Sequence, residues 1–162
     1  MNWKEQIKGD PISWLLEASD PGVRYPAMRD LLDLPADDAG LQQARSTAHR
    51  TGPIAEVLSQ MEPEGWWVEP GPGYNPKYRS TVWSLSLLAQ LGASIDEDER
   101  IARACEYYLN QSLASAGQIS ASGAPSGTAD CLQGNLLWAL LSLGCTDPRL
   151  EKAFDWMARS VT

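Results

Sequence analysis

The sequence predicts an all-α protein, and three observations carry that expectation. Apolar residues recur at helical spacing in at least four places, no stretch alternates with period two for long enough to make a strand, and Asp-Pro pairs stand just ahead of several of the periodic segments. An aspartate carboxylate accepts from the orphan amides of a first helical turn. Proline suits the first helical position because its missing N–H is not needed there.

Asp10-Pro11 and Asp20-Pro21 open the first two segments. Pro26 lies inside the second, where it deletes a backbone hydrogen bond and crowds the preceding turn, so that helix is kinked or begins near Tyr25. Asp96, with Glu99 three residues on, has capping-box spacing and opens a later helix. Asp147-Pro148 opens the last one.

Two stretches align as an internal repeat. Ser84 to Gly92 followed by Arg100 to Tyr108 matches Leu136 to Gly144 followed by Arg149 to Met157. Leu-Gly closes the first helix of each pair, as a glycine in the left-handed conformation does. In the second helix, Ile101, Ala104, Cys105 and Tyr108 match Leu150, Ala153, Phe154 and Met157 at the i, i+3, i+4, i+7 spacing of one buried face. The period is about fifty residues, each unit is an α-hairpin followed by a long loop, and a degenerate earlier copy is read from Ile12 through Leu34. The chain is therefore taken as a single domain over residues 1–162, with repeat units of about 10–60, 61–112 and 113–160.

The first helix of each hairpin, around Trp83 to Leu91 and Leu136 to Leu143, is apolar over most of its circumference; the second is amphipathic. A helix apolar all round belongs inside and an amphipathic one outside. Inner and outer helices then alternate, as in an α/α barrel or solenoid. The loops at Glu62 to Tyr78 and Ser112 to Thr128 exceed the usual connection length, which marks functional or partner-covered segments.

Composition excludes several function classes. With 13 Lys and Arg against 21 Asp and Glu, a formal charge of −8 and no basic run, the chain lacks the footprint of a nucleic-acid or anionic-membrane binder. The longest apolar run, Leu136 to Leu141, is far short of a bilayer span, and Met1 to Gln6 is no signal peptide. Three cysteines, Cys105, Cys131 and Cys145, stand in no CxxC spacing and point to a reducing cytoplasm. Seven Trp and five Tyr against one Phe leave two readings open, a binding surface or interlayer packing. No nucleophile elbow, P-loop, dinucleotide-binding glycine pattern or HExxH is present.

The turn Gln60-Met61-Glu62-Pro63-Glu64-Gly65-Trp66-Trp67 resembles the Gln-x-x-x-Gly-x-Trp repeat of the terpenoid cyclase and protein prenyltransferase α/α-toroid superfamily, with Met61 where Gln is expected. Tyr78 to Trp83 with Leu91-Gly92, and Cys131 to Asn135 leading into the last inner helix, are similar to uncharacterised prokaryotic members of that group. The resemblance covers most of the chain from about Asp10 and implies an α/α toroid or half-toroid, squalene-hopene-cyclase-like in its helical pairs.

The superfamily's catalytic sets are incomplete in this chain. Asp96-Glu97-Asp98-Glu99 is nearest to the cyclases' Asp-x-Asp-Asp, but it opens an outer helix, where acids complement the N-terminal dipole. Asp130-Cys131 matches two residues of Asp-Cys-Thr-Ala-Glu, making Asp130 the one candidate catalytic acid, with helix capping as its other reading. His49, Asp130 and Cys131 would complete a zinc set of the prenyltransferase type only if folding gathered them; His49 is read as exposed near a helix end. Asp37-Asp38 does not continue into the diphosphate-binding Asp-Asp-x-x-Asp. No metal and no cofactor is expected, and catalysis has no motif behind it.

The resemblance implies an apolar, isoprenoid-like ligand, with Trp66, Trp67, Tyr74, Tyr78, Trp83 and Trp138 as the binding candidates. The alternative is a non-catalytic helical-repeat scaffold for protein partners or dimerisation. A closed ring takes roughly three hundred residues at this period, about twice the chain. The expectation is therefore a homodimer, a piece of a longer toroid or a smaller closed bundle, with Ser160-Val161-Thr162 standing where another repeat would begin.

Overall fold

The computed structural model describes residues 6–160; the readings placed on residues 1–5 and 161–162 lie outside them. Among the described residues every regular element is a helix, and extended pairing is confined to two isolated bridges, Leu113 with Ile119 and Ser120 with Thr128. No helix among them is long and apolar enough to cross a membrane. The chain divides into two compact units between Ala55 and Glu56.

The first unit holds α1 (Pro11–Leu15), α2 (Pro21–Pro26), α3 (Ala39–Arg50) and the start of α4 (Pro53–Ser59). Asp10 caps α1 by accepting from the Ile12 amide (3.1 Å), and Asp20 caps α2 through the Val23 amide (3.2 Å). Pro26 ends α2, and the chain continues as a π-helical turn, Ala27–Leu31, in which the Leu32 amide reaches the Ala27 carbonyl five residues back. The proline thus widens the helix. Asp33 then takes a left-handed conformation (φ 50°) after Leu32, where Gly92 and Gly144 stand after a leucine in the later copies. Helix α2 packs on α3, with Tyr25, Met28, Leu41 and Ala44 buried. His49, expected to be exposed, is buried, and its Nδ1 lies 2.8 Å from the Arg45 carbonyl one turn back.

The second unit contains the end of α4, then α5 (Thr81–Gln90), α6 (Glu99–Ser112), α7 (Asp130–Ser142) and α8 (Arg149–Ser160). Helix α5 packs against both α6 and α7, and α8 against α7. The nearly uncharged helices therefore lie side by side, each with its amphipathic partner. On α6, Ile101, Ala104, Cys105 and Tyr108 are all buried; on α8, Leu150 and Ala153 are buried while Phe154 and Met157 are half-buried. The helices expected to be inner are not fully enclosed: Leu87 on α5 is 44% exposed, and Trp138 and Leu141 on α7 are 51% and 50% exposed.

The repeat is carried by matched backbone hydrogen bonds. In the turn before α5, the Glu62 amide donates to the Trp66 carbonyl (2.9 Å) and the Gly65 amide to the Glu62 carbonyl (3.0 Å). Before α7, Ala114 donates to Gln118 and Gly117 to Ala114, both at 2.9 Å. Gly65 and Gly117 are left-handed (φ 107° and 103°). A Cβ on Gly65 would stand 2.8 Å from the Arg103 carbonyl of α6, and one on Gly117 would stand 2.5 Å from the Lys152 carbonyl of α8. Only glycine lets each turn press onto an outer-helix backbone.

Each turn is also tied to its inner helix. The Trp67 amide donates to Thr81 Oγ1 (3.2 Å), and the Ile119 amide donates to Gln133 Oε1 (2.9 Å). Helices α5 and α7 end alike: Ala93 donates to Leu88 and Cys145 to Leu140, around left-handed Gly92 and Gly144. These two bonds each satisfy a carbonyl in the last turn of the helix. All the pairs keep one register of 52 positions (65 and 117, 67 and 119, 81 and 133, 92 and 144).

The starts of α6 and α8 repeat as well. Asp98 and Asp147 accept the amides of Arg100 and Arg149 at 2.9 and 2.8 Å, and each guanidinium forks back onto the same carboxylate at 2.7 Å. Arg100 then reaches the Leu58 carbonyl at the end of α4 (3.2 Å), and Arg149 reaches Asn110 Oδ1 on α6 (2.6 Å). The Arg149 guanidinium holds the Asp147 carboxyl down at about 2. Asp98 therefore caps α6, which corrects the assignment to Asp96 two residues earlier; it wins because its position presents the carboxylate to the first free amide.

Candidate functional site

The α5–α7 pair builds a groove of about 420 Å³ in the second unit. Helical spacing supplies its walls: Trp83, Leu87 and Gln90 stand at i, i+4, i+7 on α5, and Cys131, Asn135 and Trp138 do the same on α7. The loop ahead of α5 supplies Tyr74 and Tyr78. Every lining side chain is uncharged.

Backbone bonds position the aromatic wall. Ser80 and Val82 hold the loop at Gly73, whose carbonyl accepts from the Ser80 hydroxyl (2.6 Å) and the Val82 amide (3.0 Å). Gly73 is left-handed (φ 69°), and a Cβ there would stand 2.6 Å from Thr81 Cβ. One residue on, the Tyr74 carbonyl accepts from the Trp83 indole N–H (2.9 Å), and the two rings stand 5.8 Å apart at 47°. After a cis Asn75–Pro76 bond the chain returns so that Tyr78 covers Trp83 at 4.9 Å and 49°. Such tilted contacts suit the ring quadrupoles. The Lys77 ammonium lies 5.6 Å from the Tyr74 ring centre, a cation–π distance.

Tyr78 is unusual on two counts. Its φ is 67°, a left-handed value that a bulky residue adopts at a cost of about 1–2 kcal/mol, and its side chain is 79% exposed. The strained backbone aims a large ring at the groove mouth, where water would otherwise reach Trp83.

The six aromatic candidates divide. Tyr74, Tyr78, Trp83 and Trp138 line the groove. Trp67 is 2% exposed; its indole N–H donates to the Val57 carbonyl (2.8 Å), and it borders a smaller neighbouring cavity of about 150 Å³ that shares Tyr78 and Trp83. Trp66 is half-buried and serves the Gly65 turn through its carbonyl. The residues that sequence reasoning missed, Leu87, Gln90 and Asn135 among them, carry the same spacing as the tryptophans beside them. That spacing was the available signal.

Asp130, read as either an acid or a cap, is neither the N-cap nor a lining residue. The N-cap is Ala129, and Asp130 is the exposed first residue of α7 with no capping hydrogen bond. It complements the helix dipole from the first turn. Among the described residues, no three His, Cys, Asp or Glu side chains gather to hold a metal ion.

Compared with family models, curated proteins and solved structures, the chain matches none.

Proposed function

We propose that this chain is a terpenoid cyclase or prenyltransferase-like α/α-toroid domain whose α5–α7 groove holds an uncharged, apolar, isoprenoid-like ligand, with no sequence motif behind a catalytic role. The supporting observation is the groove itself: a cavity of about 420 Å³, walled by Tyr78, Trp83 and Trp138 and free of charge, in a chain of formal charge −8. Its volume lies within the range of small-molecule sites. An apolar chain laid there leaves no charged group desolvated, and each methylene it buries contributes about 0.8 kcal/mol. The aromatic faces cover hydrocarbon without needing a hydrogen-bond partner, and no acid stands among them to protonate it.

A second reading, a non-catalytic scaffold, is favoured by one observation. Leu87, Trp138 and Leu141 leave an apolar strip about half exposed, which suits burial against a protein partner or a second copy. For either function the proposed setting is the cytoplasm, on the strength of the free thiols.

Native mass spectrometry of the full chain with added geraniol or farnesol separates the two. The ligand reading expects a one-to-one farnesol complex, at least tenfold tighter than that of geraniol and lost in Trp138→Ala. An unliganded dimer that Trp138→Ala dissociates favours the scaffold, and the absence of any farnesol complex overturns the ligand reading.

A further inference from the structure

Two cysteines far apart in the sequence meet in the second unit. Cys105 is buried on the core face of α6. Cys145 is half-buried and follows Gly144 in the turn between α7 and α8. The two side chains border the same cavity and are close enough for each to shift the other's acidity, Cys145 downward and Cys105 upward. The cavity, of about 380 Å³, is lined by both cysteines, together with Ala102 and Glu106 of α6 and Thr146 and Pro148 of the turn. Peroxide-sized molecules have room there.

The surroundings separate the roles of the two sulfurs. Cys145 is brought down to about 6, first by the Cys105 side chain and then by the Asp147 backbone amide and the Arg149 guanidinium, against burial and the Asp147 carboxylate. Cys105 is pushed up by the Cys145 side chain and by burial. The charged groups near the pair are Glu106 from α6, Asp147 from the turn and Arg149 from α8. A thiolate at Cys145 is the nucleophile, because thiolates and not thiols attack.

We infer that Cys105 and Cys145 form a redox-active dithiol that a peroxide converts into an intramolecular disulfide, with Cys145 reacting first. The Cys145 thiolate attacks one peroxide oxygen and the O–O bond breaks. Hydroxide leaves and takes up a proton as water, so that Cys145 is a sulfenic acid and the peroxide is reduced. With the Cys145 thiolate consumed, the neighbouring charge that held the Cys105 proton is gone; that proton passes to the departing oxygen as the Cys105 sulfur attacks Cys145, the S–S bond forms, the S–O bond breaks, and a second water leaves. The net change is two thiols and one hydrogen peroxide giving one disulfide and two waters. The bond joins the middle of α6 to the α7–α8 turn.

The test treats the full chain with hydrogen peroxide, blocks residual thiols with N-ethylmaleimide and maps peptides by mass spectrometry. The expected result is a Cys105–Cys145 cross-linked peptide pair, reversed by dithiothreitol, with Cys131 alone blocked. In Cys105→Ser, Cys145 is expected to be trapped as a sulfenic acid by dimedone. A second measurement follows peptide-resolved iodoacetamide labelling against pH. Labelling of Cys145 is expected to rise at a lower pH than that of an ordinary thiol in the wild type, and to move up toward the ordinary thiol value of about 8.5 in Cys105→Ala, which leaves no donor beside it. Dimedone-trapped Cys145 beside an intact Cys105 thiol in the wild type would overturn the dithiol. Faster oxidation of Cys105 than of Cys145 would overturn the assigned order.

Discussion

Single glycines in this chain have opposite values according to where their missing Cβ would go. At Gly65 and Gly117 the backbone is left-handed and a Cβ would meet a carbonyl oxygen of α6 or α8 at 2.8 or 2.5 Å. Strain and overpacking combine there, so Gly65→Ala and Gly117→Ala are each expected to cost roughly 2–4 kcal/mol in urea denaturation. Gly134 is the contrast. It lies within α7, and a Cβ on it would meet nothing within 4 Å. Gly134→Ala is expected to stabilise the protein by about 0.5–1 kcal/mol, the helix-propensity gain. Sequence reasoning picked out Gly65 from its aromatic turn. It passed over Gly117, because Gln118-Ile119 stands where Trp66-Trp67 stands and shares no side-chain character with it. What the two turns share is backbone, and composition does not register that.

At the scale of the element, the same job is done by different chemistry in the two copies. Thr81 satisfies one backbone group of its turn, the Trp67 amide, whereas Gln133 satisfies two: the Ile119 amide at 2.9 Å and, through Nε2, the Ile119 carbonyl at 2.6 Å. Gln133 is 3% exposed and Ile119 is fully buried, so no water replaces the lost bonds. Gln133→Leu is expected to cost about 2–3 kcal/mol and Thr81→Val about 1 kcal/mol, both read from urea midpoints at unchanged slope. The helices themselves were legible. The Asp-Pro starts, the Leu-Gly closures and the buried face of α6 all follow from local spacing and capping chemistry. Other features were not legible. Asp98 displaced Asp96 as the α6 cap because two carboxylates within one short turn offer similar caps, and the bonds of the Arg100 amide and guanidinium to Asp98 decide between them. His49 is buried because of how α3 packs, which its own neighbours in sequence do not encode.

For the molecule as a whole, the proposed ligand reading rests on the nearly uncharged helices α5 and α7. Packed side by side, they bury Leu85, Leu88, Leu136 and Leu140, yet they keep an aromatic and aliphatic strip facing outward. Four of the six aromatic candidates, Tyr74, Tyr78, Trp83 and Trp138, line one groove, which groups them by position and not by a tested role. Their division into groove and core was not legible, since it depends on which carbonyl each indole finds, Val57 for buried Trp67 and Tyr74 for half-buried Trp83.

That division allows a site-resolved test of the groove. The indole N–H resonances of the tryptophans in a two-dimensional ¹⁵N–¹H spectrum, assigned by single Trp→Phe variants, report each ring separately. On titration with farnesol, the signals of Trp83 and Trp138 are expected to move together and saturate, while Trp67, bonded to Val57, and Trp14, in the first unit, stay in place. Unmoved Trp83 and Trp138 signals under saturating farnesol, or a shift confined to Trp14, would contradict the groove as the binding site.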